Sequence, residues 1–218
     1  MKFFIDTANL DQIREAHDLG VLDGVTTNPS LMAKEGIKGV ENQYKHYVEI
    51  CHIVQGDVSA EVIATDYDGM IREGEKLAAL DPHIVVKVPC IADGIKAIKY
   101  FSSKGIRTNC TLVFSVGQAL LAAKAGATYV SPFVGRLDDI SEDGIALVAK
   151  IVEMYHYYGY ATQVLAASIR HTAHILQCID AGADVATCPL SAIKGLLNHP
   201  LTDAGLKKFL EDYKRISE

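Results

Sequence analysis

The sequence lacks the cysteine pattern of a disulfide scaffold or a zinc site. It has five cysteines, an odd number, and no two of them stand in a Cys-x-x-Cys spacing. Such a pattern argues against a disulfide framework and against a structural zinc ion. We therefore expect free thiols, a reducing compartment and no bound metal.

Long apolar runs and a strong excess of one charge are also missing. No apolar run approaches the roughly 20 residues that a membrane span needs, and residues 1–6 turn polar too early for a signal peptide. The net charge of -6 argues against a general nucleic-acid or acidic-membrane binder. We expect a cytoplasmic protein with neither a membrane nor a nucleic acid as partner.

No Ser/Gly/Pro-rich linker divides the 218 residues, of which 49% are hydrophobic. Short β-type runs instead alternate with longer amphipathic helical stretches along the chain. Strict alternation of this kind predicts parallel strands joined by crossover helices. The predicted strands are residues 3–6, 24–27, 58–64, 84–88, 106–111, 128–133, 163–168 and 184–188.

A weak repeat favours a closed barrel over an open sheet. A glycine stands just before four of the predicted strands, where a helix should end: Gly105, Gly126, Gly159 and Gly182. About eight helix–glycine–strand units fit the compact end of the (β/α)8 TIM-barrel range. The alternative, a doubly wound sheet, usually carries a G-x-G-x-x-G motif after its first strand, and none follows here. We therefore predict one α/β barrel domain over residues 1–218.

An extra helix is predicted at residues 202–216, after the last barrel helix. Its apolar residues recur at helical spacing on one face: Leu206, Phe209, Leu210, Tyr213 and Ile216. This face should either close one end of the barrel or pack on a neighbouring subunit.

A lysine stands on the face of a predicted strand that should point into the barrel. Side chains alternate across a strand, so Ile84, Val86 and Val88 should meet the helices while Val85 and Lys87 point inward. Burying an unpaired ammonium group is costly and lowers its pKa, and a neutral amine attacks carbonyl carbons. Lys87 is therefore a candidate nucleophile. The alternatives are a lysine on an exposed edge strand, or one paired with a carboxylate.

Other polar residues stand at the C-terminal ends of the predicted strands, where barrel enzymes place their chemistry. Asp6 and Glu61 are candidates for proton transfer, or one of them forms a salt bridge with Lys87. Asn28 is either a helix N-cap before Pro29 or a ligand for a substrate hydroxyl. The further inward positions are Asn109, Thr111, Ser131 and Phe133.

Two arginines and a serine follow the sixth and seventh predicted strands: Arg136, Ser168 and Arg170. Guanidinium groups match the geometry of phosphate oxygens, and a serine hydroxyl adds a donor. Phosphate sites are common near the last strands of this fold. The sequence therefore predicts a phosphate site at this end of the barrel.

Six motifs, in order along nearly the whole chain, resemble those of the small transaldolases, the group that includes fructose-6-phosphate aldolase. They are Asp6-Thr-Ala-Asn, Gly24-Val-Thr-Thr-Asn-Pro-Ser, Ile84-Val-Val-Lys-Val-Pro, Asn109-Cys-Thr-Leu-Val-Phe-Ser, Ser131-Pro-Phe-Val-Gly-Arg-Leu-Asp-Asp and Ala167-Ser-Ile-Arg. Each motif is modest alone, but together they are highly specific.

This resemblance implies a TIM barrel without a cofactor and a role for each candidate residue. Lys87 is similar to the Schiff-base lysine, and Asp6 to the acid/base that handles the C4 hydroxyl proton. Glu61 and Thr111 resemble a pair that holds a catalytic water. The remaining roles are dihydroxyacetone binding by Asn28 and Asn109, pocket lining by Ser131 and Phe133, and phosphate binding by Arg136, Ser168 and Arg170.

Two positions resemble the transaldolase branch, since the aldolases typically carry Gln and Tyr where this chain has Glu61 and Phe133. The implied reaction converts sedoheptulose 7-phosphate and glyceraldehyde 3-phosphate to erythrose 4-phosphate and fructose 6-phosphate, in the non-oxidative pentose phosphate pathway. The alternatives are an aldolase that releases free dihydroxyacetone, and a sugar-phosphate-binding barrel without turnover. The resemblance also implies homo-oligomeric rings of five subunits, often doubled to ten.

Overall fold

The computed structural model describes residues 1–217, and it confirms the predicted barrel. Eight parallel strands close on themselves in sequence order, with β8 beside β1. The strands are β1 (Lys2–Asp6), β2 (Gly24–Thr26), β3 (Asp57–Glu61), β4 (Ile84–Pro89), β5 (Thr108–Val113), β6 (Tyr129–Pro132), β7 (Gln163–Ala166) and β8 (Val185–Cys188). All their C-terminal ends therefore meet at one mouth of the barrel.

Helices connect the strands and cover the outside of the barrel. Within residues 1–217 they are α1 (Leu10–Asp18), α2 (Pro29–Lys34), α3 (Val40–Val54), α4 (Tyr67–Ala78), α5 (Ala92–Ser103), α6 (Val116–Ala125), α7 (Val134–Asp138), α8 (Gly144–Tyr158), α9 (Thr172–Asp180), α10 (Leu190–Gly195) and α11 (Pro200–Ser217). Among these residues, no helix is both long enough and apolar enough to cross a membrane.

Four strands end earlier than predicted, β2 and β6 by one residue and β3 and β7 by two or more, and the latter two end beside the mouth. After Glu61, the backbone N–H groups of Ile63 and Ala64 donate to the Glu73 carboxylate instead of to a neighbouring strand. After Ala166, the backbone turns at Ser168 into the left-handed region, with φ at 58°. Apolar composition extends across both points, so it does not reveal where the pairing stops.

The predicted alternation of strand faces is confirmed. Ile84, Val86 and Val88 belong to the apolar layer between barrel and helices, while Val85 packs inside the barrel. The interior cluster otherwise consists of Phe4, Tyr129, Leu165, Ala167 and Val185, with Phe133 packed against it. These residues fill the interior of the barrel below its polar mouth.

The last helix buries none of its residues in this chain. Helix α11 starts at Pro200, a residue favoured in the first turn, and is therefore slightly longer than predicted. Its apolar face is exposed, from 56% at Leu210 to 82% at Ile216. A helix that closed one end of the barrel would bury this face. That alternative was therefore wrong.

Candidate active site

A polar cavity of about 110 Å³ opens at the C-terminal ends of the strands. It brings together seven of the eleven predicted site residues, and Thr26, Ala167 and Thr187 complete its wall. The seven are Asp6, Asn28, Lys87, Ser131, Phe133, Arg136 and Ser168. Glu61, Asn109, Thr111 and Arg170 do not line it.

Lys87 is buried, with 5% of its surface exposed, but it is not unpaired. Its Nζ lies 3.2 Å from Glu61 Oε2 and donates to the Thr27 carbonyl oxygen at 3.2 Å. The expectation of an unpaired amine was wrong, and the alternative of a salt bridge with Glu61 is confirmed, because β3 and β4 pair in a register that sets Glu61 beside Lys87. Alternation along β4 indicated the face of Lys87 and not its partner across the sheet.

Glu61 forms part of a partition between two cavities. Its carboxylate contacts Lys87, which lines the first cavity, and it also lines a second cavity of about 320 Å³. Helices α3 and α4 form most of that second cavity, with Tyr44, Tyr47 and Arg72 in its wall. Sequence reasoning did not single out these residues, since none belongs to a strand.

Asp6 sits in a network of hydroxyl groups. Thr26 Oγ1 donates to Asp6 Oδ1 at 2.7 Å and lies 2.6 Å from Thr187 Oγ1. Burial raises the pKa of the Asp6 carboxyl above its ordinary value, and the Lys87 charge and the Thr26 hydrogen bond only partly offset this. Asp6 therefore takes up a proton more readily than an exposed aspartate. Thr26 and Thr187 were missed, although each is a polar residue in a short apolar strand.

Asn28 is a helix N-cap, and its role as a ligand for a substrate hydroxyl stays a prediction. Its side-chain oxygen caps α2 by accepting from the Leu31 N–H at 3.0 Å, and the residue also lines the cavity. Asn109 is fully buried below the cavity. It donates to Ser59 Oγ at 3.1 Å and accepts from Ser131 Oγ at 2.7 Å, so it reaches the cavity through Ser131.

Thr111 occupies an irregular part of β5. Its Oγ1 is buried and has no hydrogen-bond partner among the described residues. The next residue, Leu112, has φ at 58°, and the pairing of β5 with β6 shifts register between Cys110 and Val113. A buried hydroxyl without a partner in the chain calls for a water or a ligand group. Strained backbone of this kind is concentrated at functional sites.

The three predicted phosphate-binding residues are only partly brought together. Arg136 and Ser168 line the cavity, and the Arg136 guanidinium lies 4.8 Å from the centre of the Phe133 ring. Arg170 instead forms two hydrogen bonds with Asp139, each of 2.5 Å. The position of Arg170 in the sequence predicted that it lies near this end of the barrel. The tertiary structure pairs it with Asp139.

Fold and cavity together define a (β/α)8-barrel enzyme with a buried lysine, two carboxyl groups and an arginine at its mouth. Among the described residues, no group of three or more His, Cys, Asp or Glu side chains is arranged to hold a metal ion.

Comparison with known proteins identifies the family. A model described as transaldolase/fructose-6-phosphate aldolase matches residues 3–218. Proteins named "probable transaldolase" from Bacteroides fragilis and Phocaeicola vulgatus are 86% and 83% identical to this chain, and each alignment covers 100% of both proteins. One from Cytophaga hutchinsonii is 73% identical over the same share. The chain belongs to the transaldolase/fructose-6-phosphate aldolase family, as its motifs implied.

The raised pKa of Asp6 predicts a pH-dependent cost to stability. A carboxyl whose pKa is raised by folding stabilises the folded state at low pH. This contribution to the free energy of unfolding is fully present below the unfolded-state pKa and is lost as the pH rises through the folded-state pKa. We therefore expect the free energy of unfolding of the wild type to fall, relative to Asp6→Asn, as the pH rises above about 4, the ordinary pKa of an aspartate. Urea unfolding at a series of pH values measures this difference. Asp18→Asn, at an exposed position, is the reference. A pH dependence for Asp6→Asn no larger than that for Asp18→Asn would contradict the prediction.

Proposed function

We propose that this protein is a transaldolase that transfers a dihydroxyacetone unit between sugar phosphates through a Schiff base on Lys87. The observation that carries the proposal is the Lys87 amine, which is held 3.2 Å from the Glu61 carboxylate and lines the same cavity as Asp6 and Arg136. The names of the relatives support transfer over release. The proposed donors are sedoheptulose 7-phosphate and fructose 6-phosphate. The proposed acceptors are glyceraldehyde 3-phosphate and erythrose 4-phosphate, in the non-oxidative pentose phosphate pathway.

Schiff-base formation begins with loss of a proton from the Lys87 ammonium group. Glu61 is within direct reach of that proton, and its transfer leaves a neutral amine that attacks the C2 ketone of the donor. The attacking nitrogen passes one of its protons to the C2 oxygen, and Glu61 then returns its own proton to the resulting C2 hydroxyl. This hydroxyl departs as water and leaves the protonated imine. The partnerless Thr111 hydroxyl supports a water-mediated route for this proton, as the family resemblance implies.

Cleavage of the carbon–carbon bond requires a base for the C4 hydroxyl proton. We assign this role to Asp6, whose raised pKa suits a group that accepts a proton and later returns it. As the proton leaves, the C3–C4 bond breaks and its electron pair flows into the protonated imine, which becomes an enamine. The first aldose phosphate departs, the acceptor enters and the steps reverse.

The remaining residues orient the sugar chain in this proposal. The side-chain N–H groups of Asn28 donate to a hydroxyl group of the donor sugar, because its side-chain oxygen already accepts the hydrogen bond of the helix cap. Ser131, held by Asn109 from below, lines the same cavity. Arg136 and Ser168 receive the phosphate, and Arg170 joins them from the same loop as Ser168.

Trapping the imine tests the identity of the nucleophile. Borohydride with fructose 6-phosphate should add the mass of the reduced sugar adduct to the wild type and add none to Lys87→Met. Intact-protein mass spectrometry measures both. The control Lys99→Met removes an exposed lysine outside the cavity and should be trapped like the wild type. Trapping at another lysine would refute the assignment, and absence of both adduct and turnover would favour a binding protein.

Release of free dihydroxyacetone requires a proton on the enamine carbon. The Phe133 ring has no proton to donate, so the enamine should persist until an acceptor aldehyde binds. We expect fructose 6-phosphate alone to yield little free dihydroxyacetone, and added erythrose 4-phosphate to start turnover. Phe133→Tyr places a phenol in the cavity wall and should raise release of dihydroxyacetone about 10-fold or more, as expected for a general acid. A coupled dihydroxyacetone assay measures both proteins. The control is Phe114→Tyr, which alters a ring 5.7 Å from Phe133 but outside the cavity. Rapid release by the wild type would favour the aldolase alternative.

The exposed face of α11 supports the proposed assembly. We propose that residues 1–218 form one catalytic domain, and that this face packs on a neighbouring subunit in a pentamer or a decamer. Five large apolar side chains on one face represent a substantial hydrophobic contribution if a second copy covers them. The nature of the substrates and the spacing of the cysteines support a cytoplasmic location, which stays a prediction.

Removal of residues 203–218 should break the assembly without unfolding the barrel, because α11 buries none of its residues in its own chain. Light scattering coupled to size exclusion should give five or ten subunits for the full chain and fewer for the truncated one. Phe209→Asp should have the same effect, whereas Lys208→Asp, off the apolar face, should not. Unchanged size after truncation would contradict the proposed role of the helix.

A further inference from the structure

Arg170 and Asp139 form a two-pronged ion pair beside the candidate phosphate site. The two guanidinium NH groups donate to the two carboxylate oxygens, each at 2.5 Å. About half of each side chain is exposed to solvent. Carboxylate and phosphate oxygens accept from the same fork of N–H donors. Asp139 therefore occupies the donors with which Arg170 would otherwise grip a phosphate.

The backbone around the pair holds Arg170 at this position. The Gly135 N–H donates to the Ser168 carbonyl oxygen at 3.1 Å, which joins the loop after β7 to the first turn of α7. The Arg170 side chain crosses directly over Gly135, where an added Cβ would lie 2.5 Å from Nε. Arg136 follows Gly135 in helix α7, and Asp139 is the residue directly after the end of this helix. The Arg170–Asp139 ion pair is therefore directly connected to the part of the cavity wall that contains Arg136.

Asp139 lies in the field of two arginines. The hydrogen bonds from Arg170 lower the pKa of the Asp139 carboxyl, and the Arg136 charge lowers it further. Arg136 lines the cavity and Arg170 does not. A phosphate dianion that enters beside Arg136 meets a carboxylate that repels it and that already holds the second guanidinium.

We propose that Asp139 competes with the substrate phosphate for Arg170 and thereby sets the affinity of this site for phosphorylated sugars. This inference rests on the proposed function, since it requires that phosphate binds at Arg136 and Ser168. Arg170 exchanges its carboxylate partner for phosphate oxygens when a substrate enters and returns to Asp139 when the product leaves. The exchange limits how tightly a phosphorylated product is held.

Replacement of Asp139 should therefore tighten phosphate binding. For Asp139→Asn and Asp139→Ala we expect the dissociation constant of inorganic phosphate and the KM for fructose 6-phosphate to fall about three- to tenfold at low ionic strength, the scale of an exposed ion pair plus one removed negative charge. Added salt should shrink the gain. The kcat/KM for unphosphorylated fructose should not change. Calorimetric titration with inorganic phosphate and steady-state kinetics measure these quantities.

Three further variants separate the possible outcomes. Asp212→Asn removes an equal charge from a remote pair with Arg215 and should leave phosphate binding unchanged. In an Arg170→Ala background, Asp139→Asn should lose most of its effect, since the competition acts through Arg170. Unchanged or weaker phosphate binding by both Asp139 variants would overturn the proposal. If Arg136→Ala also leaves phosphate binding unchanged, the phosphate site itself is refuted. If Arg136→Ala weakens binding, only the role of Asp139 fails.

Discussion

The ion pair between Lys87 and Glu61 is the interaction on which the rest of this site depends. Two charges removed from water are tolerated only when they face each other at close range and find further polar contacts. The parallel register of β3 and β4 supplies the first condition, and the Thr27 carbonyl oxygen contributes to the second. The proposed chemistry uses the same contact, because the carboxylate that stabilises the ammonium group also receives its proton.

Different parts of the barrel stabilise the fold and form the candidate binding site. Apolar side chains fill its interior below the mouth, so the polar groups at the mouth rest on a closely packed apolar layer. Two residues beside the mouth, Leu112 and Ser168, hold backbone angles that are uncommon for residues other than glycine. They occur where a strand becomes irregular or ends, which is where regular pairing no longer dictates the direction of a side chain. The candidate water site and the candidate phosphate site both lie at these two points.

Much of the fold and part of the site were predictable from the chain alone. The alternation along β4 gave the inward face of Lys87, and the glycines before four strands indicated the repeating unit. The same reasoning missed Thr26 and Thr187, and it left open whether Lys87 is unpaired or paired with Asp6 or Glu61. Periodicity assigns a side chain to a face of one strand. It does not specify which residue of another strand, joined through a long crossover helix, lies opposite.

The sequence by itself determined the order of strands and helices, the face on which each strand residue lies and, through six motifs, the family. These properties depend on residues close together in the chain, where propensity and spacing act directly. The tertiary structure alone decided that Glu61 meets Lys87, that burial raises the pKa of the Asp6 carboxyl, and that Arg170 turns to Asp139. Each of these contacts joins residues far apart in sequence. Their distances follow from how strands and loops pack, which no local pattern encodes.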